Sequence, residues 1–242
     1  SQNSSNLIIE NNEIHNNTGH GIRFSENAHD SLLSNNTIYD QESAISINAS
    51  PYNEIHANTI KDSRYGITLQ SKPREADLGI LCDHCGYSGL EPPGSVNNTV
   101  GSNQIQNAET AIRIQDNSTM NNLFEGNSLF ENKNHIVIES GNNTFRNNTL
   151  ESATGYEYKV IDSAKIIMQD QSFLNDKIIS EKGTNSIIIA DSGKIEIEVT
   201  NGEDNESNED NQNKTIVHNT DENSFTQMLM DGEVIILSSQ SY

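Results

Sequence analysis

Proton chemistry near neutral pH calls for imidazoles, and this chain has seven: His15, His20, His29, His56, His84, His135 and His218. Two of them stand in useful company. His20 opens the run His20-Gly21-Ile22-Arg23, and His29 is followed directly by Asp30. A histidine beside a carboxylate can hold or pass a proton. Arg23 and Arg113 can each clamp a carboxylate through paired N–H bonds. His20, Arg23, His29 and Arg113 are therefore the candidate substrate-binding residues, and no residue is assigned as catalytic. The plain alternative for each is structural, because a histidine in a turn and a polar strand face are ordinary features of a solvated surface. A further candidate is Cys82-Asp83-His84-Cys85. A redox pair would need a βαβ setting, and a zinc site would need a second pair of ligands; neither is present. A small disulfide, Cys82–Cys85, that locks a loop suits an extracellular chain. No cofactor is assigned. The 35 Asp and Glu residues admit calcium, but there is no EF-hand and no tandem Gly-Gly-x-Gly-x-Asp repeat to direct it.

Whether these residues meet depends on the elements that carry them, and those elements repeat. An Asn, one polar residue and an Ile or Leu recur as Asn12-Glu13-Ile14, Asn36-Thr37-Ile38, Asn58-Thr59-Ile60, Asn103-Gln104-Ile105, Asn127-Ser128-Leu129 and Asn148-Thr149-Leu150. The steps between the asparagines are 24, 22, 45, 24 and 21 residues. A period near 22 is too short for a helical hairpin and fits one turn of a parallel β-helix. Further clusters follow each phrase. Gly21-Ile22-Arg23-Phe24, Ala44-Ile45-Ser46-Ile47, Gly66-Ile67-Thr68-Leu69, Ala111-Ile112-Arg113-Ile114 and His135-Ile136-Val137-Ile138 alternate with the period of a strand. A third cluster precedes the next phrase, as in Leu32-Leu33, Glu54-Ile55, Thr99-Val100, Leu123-Phe124 and Thr144-Phe145. Three short strands per coil predict a triangular solenoid, with Ile and Leu stacked inside. The repeated Asn is expected to form an amide ladder at a corner, in a left-handed conformation that Asn tolerates. The same stacking predicts two outward columns on the second strand. One is Arg23, Ser46, Thr68, Arg113 and Val137; the other is Ser25, Asn48, Gln70, Gln115 and Glu139. The two arginines would lie roughly 14 Å apart, on a strip suited to an extended polymer.

The organisation follows from where the phrase holds. Residues 1–152 read as β-helix repeats, interrupted at 71–96 by a loop that holds three of the four prolines and both cysteines. Loops of this kind often carry binding residues. Residues 153–242 read as irregular terminal coils or a β cap, with an acidic, polar flexible loop at 201–213.

Composition narrows the function classes. The formal net charge is −21, which argues against nucleic acid and, without a local basic patch or bound cation, against acidic polymers. Only 32% of residues are hydrophobic and 5% aromatic, lean for a globule but enough for the thin core of a solenoid. There is no Trp. Tyr39, Tyr52 and Tyr65 are the only tyrosines within the repeats, and so the aromatic faces there on which a sugar could stack. No stretch reaches the length of a membrane span. No signal peptide is visible, and the chain opens inside a repeat, as a mature protein or a piece of a longer one would. Ten Asn-x-Ser/Thr triplets occur. The glycosylation candidates in the repeats are Asn16, Asn35, Asn48, Asn97, Asn117, Asn142 and Asn147, although an Asn- and Thr-rich repeat also produces such triplets by chance. The open ends of a solenoid are sheet edges through which copies could associate.

The segments Gly19-His20-Gly21-Ile22-Arg23-Phe24-Ser25-Glu26-Asn27-Ala28-His29-Asp30-Ser31 and Asn53-Glu54-Ile55-His56-Ala57-Asn58-Thr59-Ile60 resemble right-handed, single-stranded parallel β-helix proteins. The likeness is to the mannuronan C5-epimerases and the related NosD-like carbohydrate-binding and sugar-hydrolase repeats, over roughly residues 5–150. It implies an outward groove in which a base removes the C5 proton of a uronate and an acid returns one from the other face. His20 is similar to a substrate-contact histidine of the epimerases, and His29-Asp30 to a recurring His-Asp pair, a likeness that implies Asp30 as a further substrate-binding residue. Their hallmark Tyr-Gly-x-Asp-Pro-His is absent; Tyr65-Gly66-Ile67-Thr68 begins alike and then diverges. The leading expectation is thus an extracellular or cell-surface β-helix that binds or modifies an acidic polysaccharide. A noncatalytic surface or filament protein is the alternative, and a metal-handling periplasmic module is the third reading.

Overall fold

The computed structural model describes residues 4–71, 94–116, 118–139 and 141–161, then 164–169, 172–173, 177–181, 187–190, 194–200, 214–219 and 235–238. The described chain is all β, a parallel β-helix with no helical segment. Cys82, Cys85, Asn117, nearly all of the 71–96 loop and the 201–213 stretch lie outside the described residues.

Each coil presents three strand faces. The first carries the Asn phrase (Thr59–Lys61, Gln104–Gln106, Ser128–Phe130, Thr149–Glu151), the second the alternating run (Tyr65–Gln70, Thr110–Ile114, Asn134–Ile138), and the third the short cluster (Leu32–Ser34, Glu54–His56, Thr99–Gly101, Leu123–Glu125). Two faces join into one sheet because the strands Glu13–Ser25 and Thr37–Asn48 run through their corner unbroken. Pairing is parallel through these coils and in register, except for one shift between Asn17 and His20 where Glu13–Ser25 meets Thr37–Asn48. It continues into Tyr158–Ile161, Ala164–Gln169 and Lys177–Glu181. One antiparallel pair, Lys194–Thr200 with Lys214–Asn219, breaks the pattern.

The core is a set of vertical files. Ile22, Ile45, Ile67, Ile112 and Ile136 pair coil to coil and are at most 6% exposed. Ile38, Ile60, Ile105, Leu129 and Leu150 form a second file, and Leu33, Ile55, Val100, Phe124 and Phe145 a third. Each such side chain removed from water contributes about 1.5–3 kcal/mol. This is how a lean composition suffices: no atom of the core lies far from a neighbouring coil.

The asparagine column forms the expected ladder. Each amide nitrogen donates to the carbonyl oxygen of the next, at 3.0 Å for Asn12 to Asn36, Asn36 to Asn58, Asn58 to Asn103 and Asn103 to Asn127, and at 2.8 Å for Asn127 to Asn148. The same oxygen also accepts from the backbone N–H of the preceding ladder residue. The 45-residue step from Asn58 to Asn103 is therefore bridged within a single coil. The neck of the insertion is closed by the Ser95 N–H donating to Ser71 Oγ at 2.9 Å.

Two features differ from the sequence reading. The left-handed residue is not the ladder Asn but the one before it: Asn11, Asn35, Ala57, Ser102, Gly126 and Asn147 have φ between 51° and 64°. The ladder Asn stays extended because its own N–H must point along the stack. There is also a second, buried ladder, Asn53–Asn98–Asn122–Asn143, with amide links of 3.2, 3.0 and 3.0 Å. Its signal was present in the third cluster, where Asn53, Asn98, Asn122 and Asn143 each stand two residues before an apolar core residue.

Candidate functional site

The second face places the predicted outward column in register: Arg23 beside Ser46, Ser46 beside Thr68, Thr68 beside Arg113, and Arg113 beside Val137. Ser25, Asn48 and Gln70 follow in the adjoining column. The alternation rule explains the arrangement, since Ile and Phe at the intervening positions take the core.

The strip is not the open polar face that outward parity suggests. Ser46 and Asn48 are 1% exposed, and Thr68 and Val137 are 8% exposed. Asn48 Oδ1 and Thr68 Oγ1 are shut away from water without a hydrogen-bond partner. Buried polar atoms are nearly always satisfied, so two orphans on one strip are unusual. Burial also removes Asn48 from the glycosylation candidates, because no glycan can be carried on a side chain enclosed by the fold. Asn16, Asn35, Asn97 and Asn147 are exposed, and Asn142 is half-buried.

Arg113 is engaged. Its Nη2 and Nε donate to Glu139 Oε1 at 2.6 and 3.1 Å, and Gln115 Nε2 donates to both oxygens of the same carboxylate at 3.2 Å. The Arg113 guanidinium also lies 5.2 Å from the Tyr65 ring centroid, with that of Arg64 at 5.0 Å. Arg64 is held in turn by Glu42 at 2.7 Å and Glu109 at 3.2 Å. Arg64 directly precedes Tyr65, whereas the parts of this seam supplied by Arg113, Glu42 and Glu109 were invisible in the sequence because they come from neighbouring coils.

The remaining candidates divide between faces. His20 pairs with Ser43 on the second face, in the column that leads to Tyr65. His29 and Asp30 sit in the corner before the third face, and their Nδ1 and Oδ2 are 2.6 Å apart. The fold thus brings Arg23 and Arg113 onto one strip with His20 at its margin, and places His29-Asp30 in the following corner. Asp30 lines a shallow cleft of about 360 Å³ with Ser31, Leu32, Tyr52, Glu54 and residues 6–8.

His135 is a core residue. It is 0% exposed, and Asn132 Nδ2 sits 3.1 Å from its Nδ1. Burial pushes its pKa down to about 4, against a smaller upward pull from the Glu151 backbone. It is neutral at physiological pH and belongs to the structure, not the site.

A family model described as NosD, periplasmic copper-binding protein, matches residues 1–77 of the 242. The chain is similar to that family over its first coils. No curated protein matches the chain. A copper-binding description calls for a cluster of histidine, thiolate or carboxylate ligands. No group of three or more His, Cys, Asp or Glu is placed to hold a metal among the described residues. His29 and Asp30 supply one imidazole and one carboxylate, too few to enclose an ion. The described coils do not fit copper. No helix among the described residues is long and apolar enough to cross a membrane.

Proposed function

We propose that the protein is an extracytoplasmic β-helix that binds an extended acidic polysaccharide along the second-face strip. The observation that carries this reading is the outward strip of the second face, bounded in register by Arg23 and Arg113. A polyol with carboxylates offers anions of the kind a guanidinium clamps through paired N–H bonds. Coils spaced about 4.8 Å apart repeat those contacts along a chain of sugars. Glu139 stands where a uronate carboxylate would bind Arg113, as the residue such a ligand displaces. Uronate C5 epimerisation or elimination is the finer form of the proposal, with His20 at the margin of the strip as the group to test for proton transfer.

The test is calorimetric titration with polyuronate oligosaccharides, followed by Arg113→Gln. Glutamine removes the cation while Gln115 still donates to Glu139, so the fold is expected to hold while affinity falls. Exchange of the C5 proton with deuterated solvent reads the chemical step, and its loss in His20→Ala would place that residue in it. A wild-type protein that melts cooperatively and binds no uronate polymer would favour the noncatalytic surface role. Copper handling rests on the likeness of residues 1–77 to the NosD family, and the metal content of the purified protein tests it.

A further inference from the structure

The third face carries a feature that the strip does not explain. The position two residues before each of its first five strands is left-handed: Asn6, Asp30, Tyr52, Asn97 and Asn121, with φ between 50° and 58°. Four of these are Asn or Asp, whose short polar side chains suit that conformation. Tyr52 is the exception, and a bulky residue with positive φ is an outlier. The packing does not ask for it either, since the ring is not in the core: Tyr52 is 54% exposed. Its backbone is nevertheless held hard. The Tyr52 N–H donates to Val96 O at 3.0 Å, and Asn53 Nδ2 bonds to Pro51 O at 3.0 Å and to Ala28 O at 2.9 Å. The fold spends a strained position to hold an aromatic ring out in solvent.

The surroundings of the ring have a defined chemistry. Ile8, 67% exposed, and Leu32 give the cleft its apolar wall, and Asp30 and Glu54 bring carboxylates to it. Asp30 is fixed by His29 at 2.6 Å. An ionised carboxylate only accepts hydrogen bonds, so the occupant must present donors beside an apolar face. A pyranose does both, with C–H groups on one face and hydroxyls at its rim. A uronate would bring a third carboxylate to a site that already has two, on a chain of net charge −21.

We propose that the Tyr52 cleft is a second carbohydrate subsite, separate from the second-face strip, in which a neutral or amino-substituted pyranose stacks on Tyr52 and donates to Asp30 and Glu54. It stands whether or not the strip binds uronates. The ring is presented ready-made, which lowers the ordering cost of binding. An ammonium-bearing sugar is expected to bind more tightly than the neutral one through the two carboxylates, and a uronate most weakly.

The test is Tyr52→Asn. Asn occupies the equivalent corner positions 97 and 121, so the substitution relieves the backbone while removing the ring. Titration with a β-linked glucose trimer, a glucosamine trimer and a galacturonate trimer, by calorimetry and saturation-transfer NMR, is expected to show binding of the first two. At least tenfold weaker binding is expected in Tyr52→Asn, with an unchanged or raised Tm, and Tyr52→Phe should bind as the wild type does. Equal affinity in Tyr52→Asn, no binding of either sugar at millimolar concentration, or preference for the galacturonate trimer with dependence on Tyr52 would each overturn the proposal. Arg113→Gln separates the two sites, since Arg113 does not line the Tyr52 cleft and its loss should leave that subsite untouched.

Discussion

Replacing one rung of the buried ladder tests the fold where the sequence speaks most clearly. Asn103 is 0% exposed. Its Oδ1 accepts from the Asn58 N–H and from Asn58 Nδ2, both at 3.0 Å, and its Nδ2 donates to Ile55 O at 2.9 Å and Asn127 Oδ1 at 3.0 Å. Asn103→Ala strips the Asn58 N–H of its acceptor in a dry corner, while Asn58 Nδ2 keeps Leu33 O at 2.9 Å and His56 O at 3.2 Å. Asn127 Oδ1 keeps the Asn103 N–H as a donor at 3.0 Å and suffers less. An orphaned buried donor costs about 1–3 kcal/mol, before any void term. Asn103→Asp refines the argument. It preserves volume and the accepting oxygen but turns the second one, a carboxylate oxygen, toward Ile55 O and Asn127 Oδ1. At pH 7 it should destabilise at least as much as Ala, and acid should restore part of the loss, because a protonated carboxyl can donate once. Asn35→Gly is the control, since Asn35 is exposed at φ 53° and glycine accepts that conformation; a change below about 0.5 kcal/mol is expected. Urea unfolding by circular dichroism measures all three, and native-state hydrogen exchange at Asn58 locates the damage, which matters in a solenoid that can open coil by coil. Asn103→Ala within about 0.5 kcal/mol of wild type, or an Asp variant as stable as Asn at pH 7, would show that water reaches the ladder and would refute the reasoning.

Other consequences follow from single residues. Burial holds the His135 pKa near 4 against 6.5 in the unfolded chain. Its neutral form therefore stabilises the fold fully above pH 6.5, and this contribution is lost as pH falls to about 4, on the order of 3 kcal/mol in all; urea titrations at pH 7 and pH 4 should show a correspondingly smaller loss in His135→Asn. Gly66→Ala should destabilise by about 1–3 kcal/mol, because the new methyl would run into the Ala111 carbonyl oxygen and come within 2.8 Å of Ile105 Cγ2; thermal melts check it. Glu139→Gln releases the Arg113 guanidinium from its carboxylate partner and, if the strip receives uronates, should raise polyuronate affinity severalfold in calorimetry, whereas weaker binding would place Glu139 among the ligand's own contacts.

The amino-acid sequence by itself determined the solenoid. The Asn phrase and the two-residue alternation repeat because every coil faces the same neighbours at the same distance, so local chemistry and tertiary contact carry one signal. The vertical file from Ile22 to Ile136 and the column from Arg23 to Val137 were legible for that reason. The second ladder at Asn53, Asn98, Asn122 and Asn143 was written in the same terms, though its asparagines precede the third strand. What only the tertiary structure decided is accessibility and partnership. That Ser46, Asn48 and Thr68 are buried although they point outward, that Arg113 is held by Glu139 a coil away, and that Tyr52 is the one large side chain on a column of Asn and Asp depend on which side chains meet across coils. Outward parity sets the direction of a side chain, whereas its exposure and charge balance are set by neighbours some twenty residues distant in sequence, and no local pattern encodes them.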